Sequence, residues 1–400
     1  MRFGRTITGQ EKSCCCLNST ESIKMERTFK TEDLIRVAKR ENNQMRSFLY
    51  VNPFQGKHVP VAPADALLLF KQLAEKAEAQ FQNEKLLIIG FAETATAIGN
   101  AIAWFLPQTC AFLTTTRENV PNAEYLYFTE SHSHATEQRL VVNQLEKWIR
   151  KTDRIVFAED EVTTGNTIMK LISALRNAFP DASLQFGIVS ILNSMTDERQ
   201  KDFKHAQIPC VYYQRIPFGY QTDQTEAYSY EPLPVNCAKP VHLHAEKQIF
   251  QSGWNPRIAA DMQQIRTVCR QFADSVLRSV PADAKPLNLL VLGTEEFMFP
   301  GLLLGHLLEK HGHSVRFHAT TRSPIEVSRH PQYPLHQRSP LVSFYEDGRR
   351  TFLYNLAKYD KVFVLTDAPE ICPDGAESLL GALEQHGNSD VTIIQWSESD

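Results

Sequence analysis

The residues best placed to do chemistry lie between Arg154 and Thr167, in the string RIVFAEDEVTTGNT. An apolar run (Ile155, Val156, Phe157, Ala158) leads into two acids, Glu159 and Asp160. A loop of small residues follows: Thr163, Thr164, Gly165, Asn166 and Thr167. The run reads as a buried strand, and the apolar spacing after the loop predicts a helix over 168–179. Backbone N–H groups and hydroxyls of such a loop can wrap a phosphate, and the helix start adds a favourable dipole. The acids upstream can hold a polyhydroxyl group joined to that phosphate. A sugar phosphate fits this order better than a bare nucleotide triphosphate. A P-loop does not fit, because no lysine follows the glycine. The plain alternative is a threonine-rich turn.

The string resembles the phosphoribosyl-pyrophosphate (PRPP) signature of type I phosphoribosyltransferases: apolar strand, two acids, two variable residues, Thr-Thr-Gly, one variable residue, then Thr or Ser. Glu161 stands in a variable slot. The resemblance implies that residues 163–167 hold the 5′-phosphate, with Gly165 allowing close backbone approach. It implies that Glu159 and Asp160 accept from the ribose hydroxyls and favour the positive charge developing on the ring. The loop Phe91-Ala92-Glu93-Thr94-Ala95 then corresponds to the pyrophosphate loop, with N–H groups at a helix start facing the leaving group. Glu93 is an anion in that loop. Holding a Mg²⁺ water, orienting the loop and capping the helix are all open to it.

Family members also carry a mobile basic loop over the leaving group, here residues 114–138. Its Arg117, His132 and His134 would supply cationic or proton-donating contacts. The His132/His134 pair also reads as a solvated loop or a metal half-site. Mg²⁺ is the implied cofactor, carried mainly by the substrate because it prefers phosphate oxygens.

These residues need a scaffold, and short apolar strands alternating with helical patterns predict a parallel α/β sheet. Helices are expected over 64–81, 95–105, 136–150 and 257–280, and strands over 85–90, 111–115 and 184–191. Residues 46–60 read either as a hood over the acceptor, with Lys57 and His58 as contacts, or as a simple β-hairpin. Domain expectations are a disordered leader over 1–27, a first domain over 28–235, a linker over 236–256 and a second α/β domain over 257–400.

The second series repeats the first. LLIIGFAETA at 86–95 aligns with LLVLGTEEFM at 289–298, and both copies continue to Thr-Thr-Arg, ending at Arg117 and Arg322. KTDRIVFAED at 151–160 aligns with KYDKVFVLTD at 358–367. The Gly-to-Asp separations, 70 from Gly90 to Asp160 and 74 from Gly293 to Asp367, are nearly equal. Such spacing suggests an internal duplication, the alternative being the strand-Gly-helix grammar that any two α/β domains share. The second copy lacks Thr-Thr-Gly-x-Thr, so it is expected to be a degenerate partner without the phosphate cradle.

GFAETATAIG, TTREN, HSHATEQ and TTRSPI together resemble the two-domain phosphoribosyltransferase–TRSP family, an orotate phosphoribosyltransferase-like type I domain plus a TRSP domain, associated with tellurite-resistance gene clusters. The Thr-Arg-Ser-Pro of the second domain is Thr321 to Pro324. Arg322 and Ser323 are positioned at a strand end for an anion or sugar contact. Arg329, His330, Arg338, Arg349 and Arg350 make the next stretch locally basic. The family implies Mg²⁺-dependent transfer from PRPP to an unidentified nucleobase-like or other small nucleophile, in making a nucleoside-like metabolite linked to stress or tellurite resistance. The alternative is a non-catalytic PRPP or nucleotide sensor with the same fold.

Bulk properties set outer limits. The chain has 400 residues, 42% hydrophobic and 22% charged, an ordinary composition for a water-soluble protein. A formal net charge of -4 argues against a strongly basic nucleic-acid surface. No apolar run approaches the ~18–20 residues needed to span a bilayer. The eight cysteines show no CxxC spacing, which suits a reducing cytoplasm. A homodimer is compatible with this reading.

Overall fold

The computed structural model describes residues 5–7, 27–42, 46–128, 138–280 and 285–398. Most of the 1–27 leader lies outside the described residues. The chain forms two compact units, each assembled from separated stretches. The signature unit comprises residues 69–220 and 254–268, and the second unit residues 1–68, 221–253 and 269–400.

The sheet of the signature unit runs, in spatial order, Cys210–Arg215, Phe186–Asn193, Arg154–Val162, Leu86–Gly90, Thr109–Thr114 and Ala260–Asp261. The first five strands are parallel, and the short sixth is antiparallel. Every residue of Leu86–Gly90 and Phe186–Asn193 is buried, as near-continuous apolar strands covered on both faces should be. Each large apolar side chain buried there contributes roughly 1.5–3 kcal/mol. Helices Thr96–Phe105, Asn166–Ala178 and Asp197–His205 make the crossovers. The first lies tight on the sheet: a Cβ on Gly99 would stand 2.7 Å from the Gly90 Cα.

The expected parallel α/β class is therefore the observed one, with two local corrections. Of the helix expected over 136–150, the described part contains only the short Leu145–Ile149. Arg139–Val141 is instead a strand paired antiparallel with Tyr125–Tyr127, and a helix begins only at Leu145, after Gln144 at φ 62°. Leu140 and Val141 are fully buried, so a pleated partner outweighed helical spacing. The long helix expected over 257–280 is Met262–Leu277, and Arg257 lies in the loop before it.

The second unit has a six-stranded sheet in the order Arg5–Ile7, Glu246–Ser252, Val391–Glu398, Lys361–Thr366, Asn288–Gly293, Ser314–Ala319. All pairings are parallel. In both units the glycine-ending strand sits between the strand that follows it and the strand that carries or leads directly into the aligned Asp. Small contacts repeat as well. Thr115 N donates to Gly90 O at 2.9 Å, and Thr320 N to Gly293 O at 3.0 Å. Phe91 N donates to Ala158 O at 3.0 Å, and Thr294 N to Leu365 O at 3.1 Å. Lys85 N donates to Asp153 Oδ2 at 2.7 Å, and Asn288 N to Asp360 Oδ2 at 2.8 Å. These pairs match at the aligned positions, as an internal repeat requires.

Candidate active site

Three loops at the carboxyl ends of adjacent strands gather the chemically capable residues of the signature unit. This edge of a parallel sheet is where ligands bind in open α/β folds. The first loop follows Arg154–Val162. Its Ile155 to Ala158 are buried, while Glu159, Asp160 and Glu161 emerge part-exposed as residues, the Glu159 carboxyl itself remaining buried. Gly165, at φ +68°, is the N-cap of helix Asn166–Ala178. A Cβ there would meet the Phe203 ring at 2.5 Å, so both backbone angle and space demand glycine. The N–H groups of the first turn have no intrahelical acceptor and lie at the positive end of the helix dipole.

Arg199, on helix Asp197–His205, braces this turn. Its Nε donates to Thr164 O at 2.6 Å and its Nη2 to Asn166 Oδ1 at 3.1 Å. Sequence reasoning missed it, because an arginine on a polar helix carries no signal of what it reaches. Ser194 Oγ donates to Glu161 Oε1 at 2.9 Å, so Glu161 serves the neighbouring strand end. The Glu159 carboxyl is held well above the usual carboxylate range, first by burial and then by the Asp160 charge. Arg117 opposes the shift. On balance the Glu159 carboxyl is inclined toward its protonated form.

The second loop is 91–95, with a cis Ala92–Glu93 peptide. Ala92 N donates to Thr115 Oγ1 at 2.8 Å, and Gln138 Nε2 donates to Ala92 O at 3.0 Å. Ala92, Glu93 and Ala95 are buried and Thr94 is half-buried. Ala95 is the N-cap of the following helix, and Thr96 Oγ1 donates to Glu93 O at 3.4 Å.

The third loop follows Thr109–Thr114 and carries Arg117. Thr116 and Arg139 exchange backbone hydrogen bonds at 2.8 and 3.0 Å. The Arg139 guanidinium lies over the Tyr125 ring at 4.4 Å and donates to Asn119 Oδ1 at 2.6 Å. His132 and His134 lie outside the described residues. The structure thus brings together residues 92–95, Arg117, Glu159, Asp160 and 163–167 on one sheet edge.

Lys57, His58, Arg322 and Ser323 belong to the second unit. The Lys57 ammonium is fully buried and donates to Glu295 O at 2.5 Å and Thr320 O at 3.0 Å. Two backbone carbonyls of its own unit thus receive the Lys57 ammonium. His58 is buried too. Arg322 Nε pairs with Glu295 Oε2 at 2.5 Å, and Ser343 Oγ donates to Glu295 Oε1. Glu295 is itself fully buried at φ 47°. Ser323 O accepts from Tyr354 Oη at 2.7 Å.

The expected basic stretch is divided among separate partners. Arg329 meets Glu231 at 3.4 Å, Arg338 meets Glu41 at 2.6 Å, and Arg349 meets Glu346 at 3.5 Å. Arg350 lies over the Phe352 ring and His330 beside Tyr228.

Among the described residues, no group of three or more His, Cys, Asp or Glu could hold a metal ion. No helix there is long and apolar enough to cross a membrane.

A parallel α/β unit with a Thr-Thr-Gly turn after an acid pair defines the phosphoribosyltransferase class. The "Phosphoribosyl transferase" family model matches residues 34–213, and the model described as "TRSP domain C terminus to PRTase_2" matches residues 253–383. The chain belongs to the two-domain phosphoribosyltransferase–TRSP family. Among solved structures it is similar to adenine phosphoribosyltransferase from Rhodothermus marinus, at 14% identity and TM-score 0.31, covering 46% of this chain and 96% of that one. It is similar to adenine phosphoribosyl transferase from Trypanosoma brucei in complex with AMP, pyrophosphate and ribose-5-phosphate, at 11% identity and TM-score 0.30, covering 46% of this chain and 77% of that one. Orotate phosphoribosyltransferase from Aeropyrum pernix is similar at 12% identity and TM-score 0.29, covering 45% of this chain and 88% of that one. No curated protein matches the chain.

Proposed function

We propose that the protein transfers phosphoribose from PRPP to a small nucleophilic acceptor, with the chemistry in the signature unit. One observation carries the reading: Gly165, left-handed at the start of helix Asn166–Ala178, directly follows a strand that ends in Glu159 and Asp160. The turn at 163–167 would bind the 5′-phosphate through backbone N–H groups and hydroxyls, braced from behind by Arg199. Asp160 would accept from the ribose hydroxyls. Glu159, inclined to keep its proton, could donate as well as accept.

In the reaction the C1–oxygen bond to pyrophosphate breaks and its electron pair leaves with the pyrophosphate. The acceptor's lone pair forms the new C1 bond, and the acceptor's proton passes to a base or to water. Positive charge builds on the ring in the transition state, as in other oxocarbenium-like displacements. The Asp160 carboxylate favours that charge. The 92–95 loop and Arg117 would face the departing pyrophosphate.

Glu159 and Asp160 would offer oxygen to a hard cation held mainly by substrate oxygens; Glu93 is buried in the 91–95 loop. Mg²⁺ would offset charge on the leaving group. Cytoplasmic location, a homodimer and the link to tellurite-resistance gene clusters and a nucleoside-like metabolite belong to the same proposal. The acceptor is to be sought among nucleobases and other small nucleophiles.

The test is PRPP-dependent pyrophosphate release by the full chain with Mg²⁺ across a pool of such compounds. At least one should support release that Asp160→Asn abolishes. PRPP binding without release from any member of the pool would sink the enzyme reading.

A further inference from the structure

We propose that Arg257, carried by chain beyond residues 221–253, is a positioning residue for the phosphoribosyl site. The proposal rests on the PRPP reading above. Residues 254–268 belong to the signature unit, although the preceding residues 221–253 belong to the other.

Several contacts seat this segment. Thr114 N donates to Pro256 O at 2.9 Å. Trp148 Nε1 donates to Ala259 O at 3.2 Å, and Arg266 Nη2 to Trp104 O at 2.9 Å. Ala260–Asp261 extends the sheet, with Ala260 opposite Phe112. Arg257 lies among these anchors, only 4% exposed, and its Nε donates to Thr116 Oγ1 at 3.1 Å.

A buried guanidinium is costly to desolvate, so its placement needs a reason. Thr116 is one of the groups that receive it. Its hydroxyl also accepts from Glu118 N at 2.9 Å, and its backbone is tied to Arg139. The residue before it, Thr115, holds the Ala92 N–H. The residue after it, Arg117, is near enough to Glu159 to favour its charged form. A displacement of Thr116 therefore moves the 91–95 loop and Arg117 together. Arginine suits this place because its planar fork fixes direction, which a lysine ammonium does not. In this way the transferase unit takes a site support from the stretch where the TRSP match begins.

The test compares Thr116→Val, Arg257→Ala, Arg257→Lys and the Thr116→Val/Arg257→Ala double variant, all in the full chain. The readout is calorimetric titration with PRPP and Mg²⁺ at a temperature where near-ultraviolet dichroism shows each folded. Arg257→Ala and Thr116→Val should each weaken PRPP binding about tenfold, with the double variant no weaker than the worse single because the pair acts as one unit. Arg257→Lys should recover part of the affinity. Wild-type affinity in Arg257→Ala, or losses that add, overturns the proposal. If Arg257→Ala does not fold, the near-isosteric Thr116→Val decides, and unchanged affinity there overturns it. A wild-type chain that does not bind PRPP removes the PRPP reading and this inference together. A wild-type chain that binds, with indifferent variants, removes this inference alone.

Discussion

The hydroxyl of Thr115 accepts a 2.8 Å hydrogen bond from the backbone N–H of Ala92, and its counterpart Thr320 accepts from Glu295 N at 3.0 Å. One threonine thus pins the loop after the glycine-ending strand in each unit, with all four residues buried. Thr115→Val leaves a buried N–H unpaired and should cost about 1–3 kcal/mol. Thr320→Val should cost a similar amount. Urea midpoints measure both. PRPP affinity should fall for Thr115→Val and stay level for Thr320→Val. Equal effects on affinity would remove the functional distinction between the units.

Gly165→Ala meets two obstacles, the +68° φ and the Phe203 ring 2.5 Å from the new Cβ. It should destabilise the protein by more than about 1 kcal/mol and weaken PRPP binding. Adding Phe203→Leu relieves the steric part only, so melting temperature should recover in part. Full recovery would mean that the backbone angle is not limiting.

Glu159 gives a pH signature. Its carboxyl is raised first by burial and then by Asp160, so the folded protein holds this proton more tightly than the unfolded chain. The associated stability is fully present below the unfolded value of about 4.3 and is lost as pH rises through the folded value. Glu159→Gln cannot ionise. Its melting temperature relative to wild type should therefore climb with pH across that window and level off above it. A constant difference from acid to neutral pH would contradict the raised carboxyl.

Arg199 is part-exposed, its side chain 29% accessible, so its ion pair with Asp202 should add little to stability. Its two bonds to the signature turn matter more for shape. Arg199→Leu should lower PRPP affinity several-fold while the melting temperature moves little. A large melting shift with unchanged affinity would make Arg199 a stability residue only.

The Thr-Thr-Gly turn and the helix after it were legible in the sequence because glycine, threonine and acid pairs have few other reasons to occur in that order. The strands were legible because Leu86–Gly90 and Phe186–Asn193 are apolar at nearly every position, as doubly covered strands must be. Arg139–Val141 was not, since its pairing depends on Tyr125–Tyr127, which is not adjacent to it in sequence. Arg199 and Arg257 were hidden for a related reason. An arginine's reach is long and its partners are set by tertiary placement, so spacing says nothing about what the guanidinium will touch. The burial of Lys57 and its two carbonyl acceptors were hidden in the same way, since Asn, Gly and Pro around it gave no sign of what the ammonium meets.

The central claim is that residues 159–167 form a ribose-5-phosphate cradle. Calorimetric titration of PRPP with Mg²⁺ into the full wild-type chain and Asp160→Asn tests it most directly. The account expects saturable one-site binding by the wild type and a loss of at least about tenfold in the variant, the order expected when a charge-assisted hydrogen bond is removed. No binding by the wild type, or equal binding by both proteins, would contradict it.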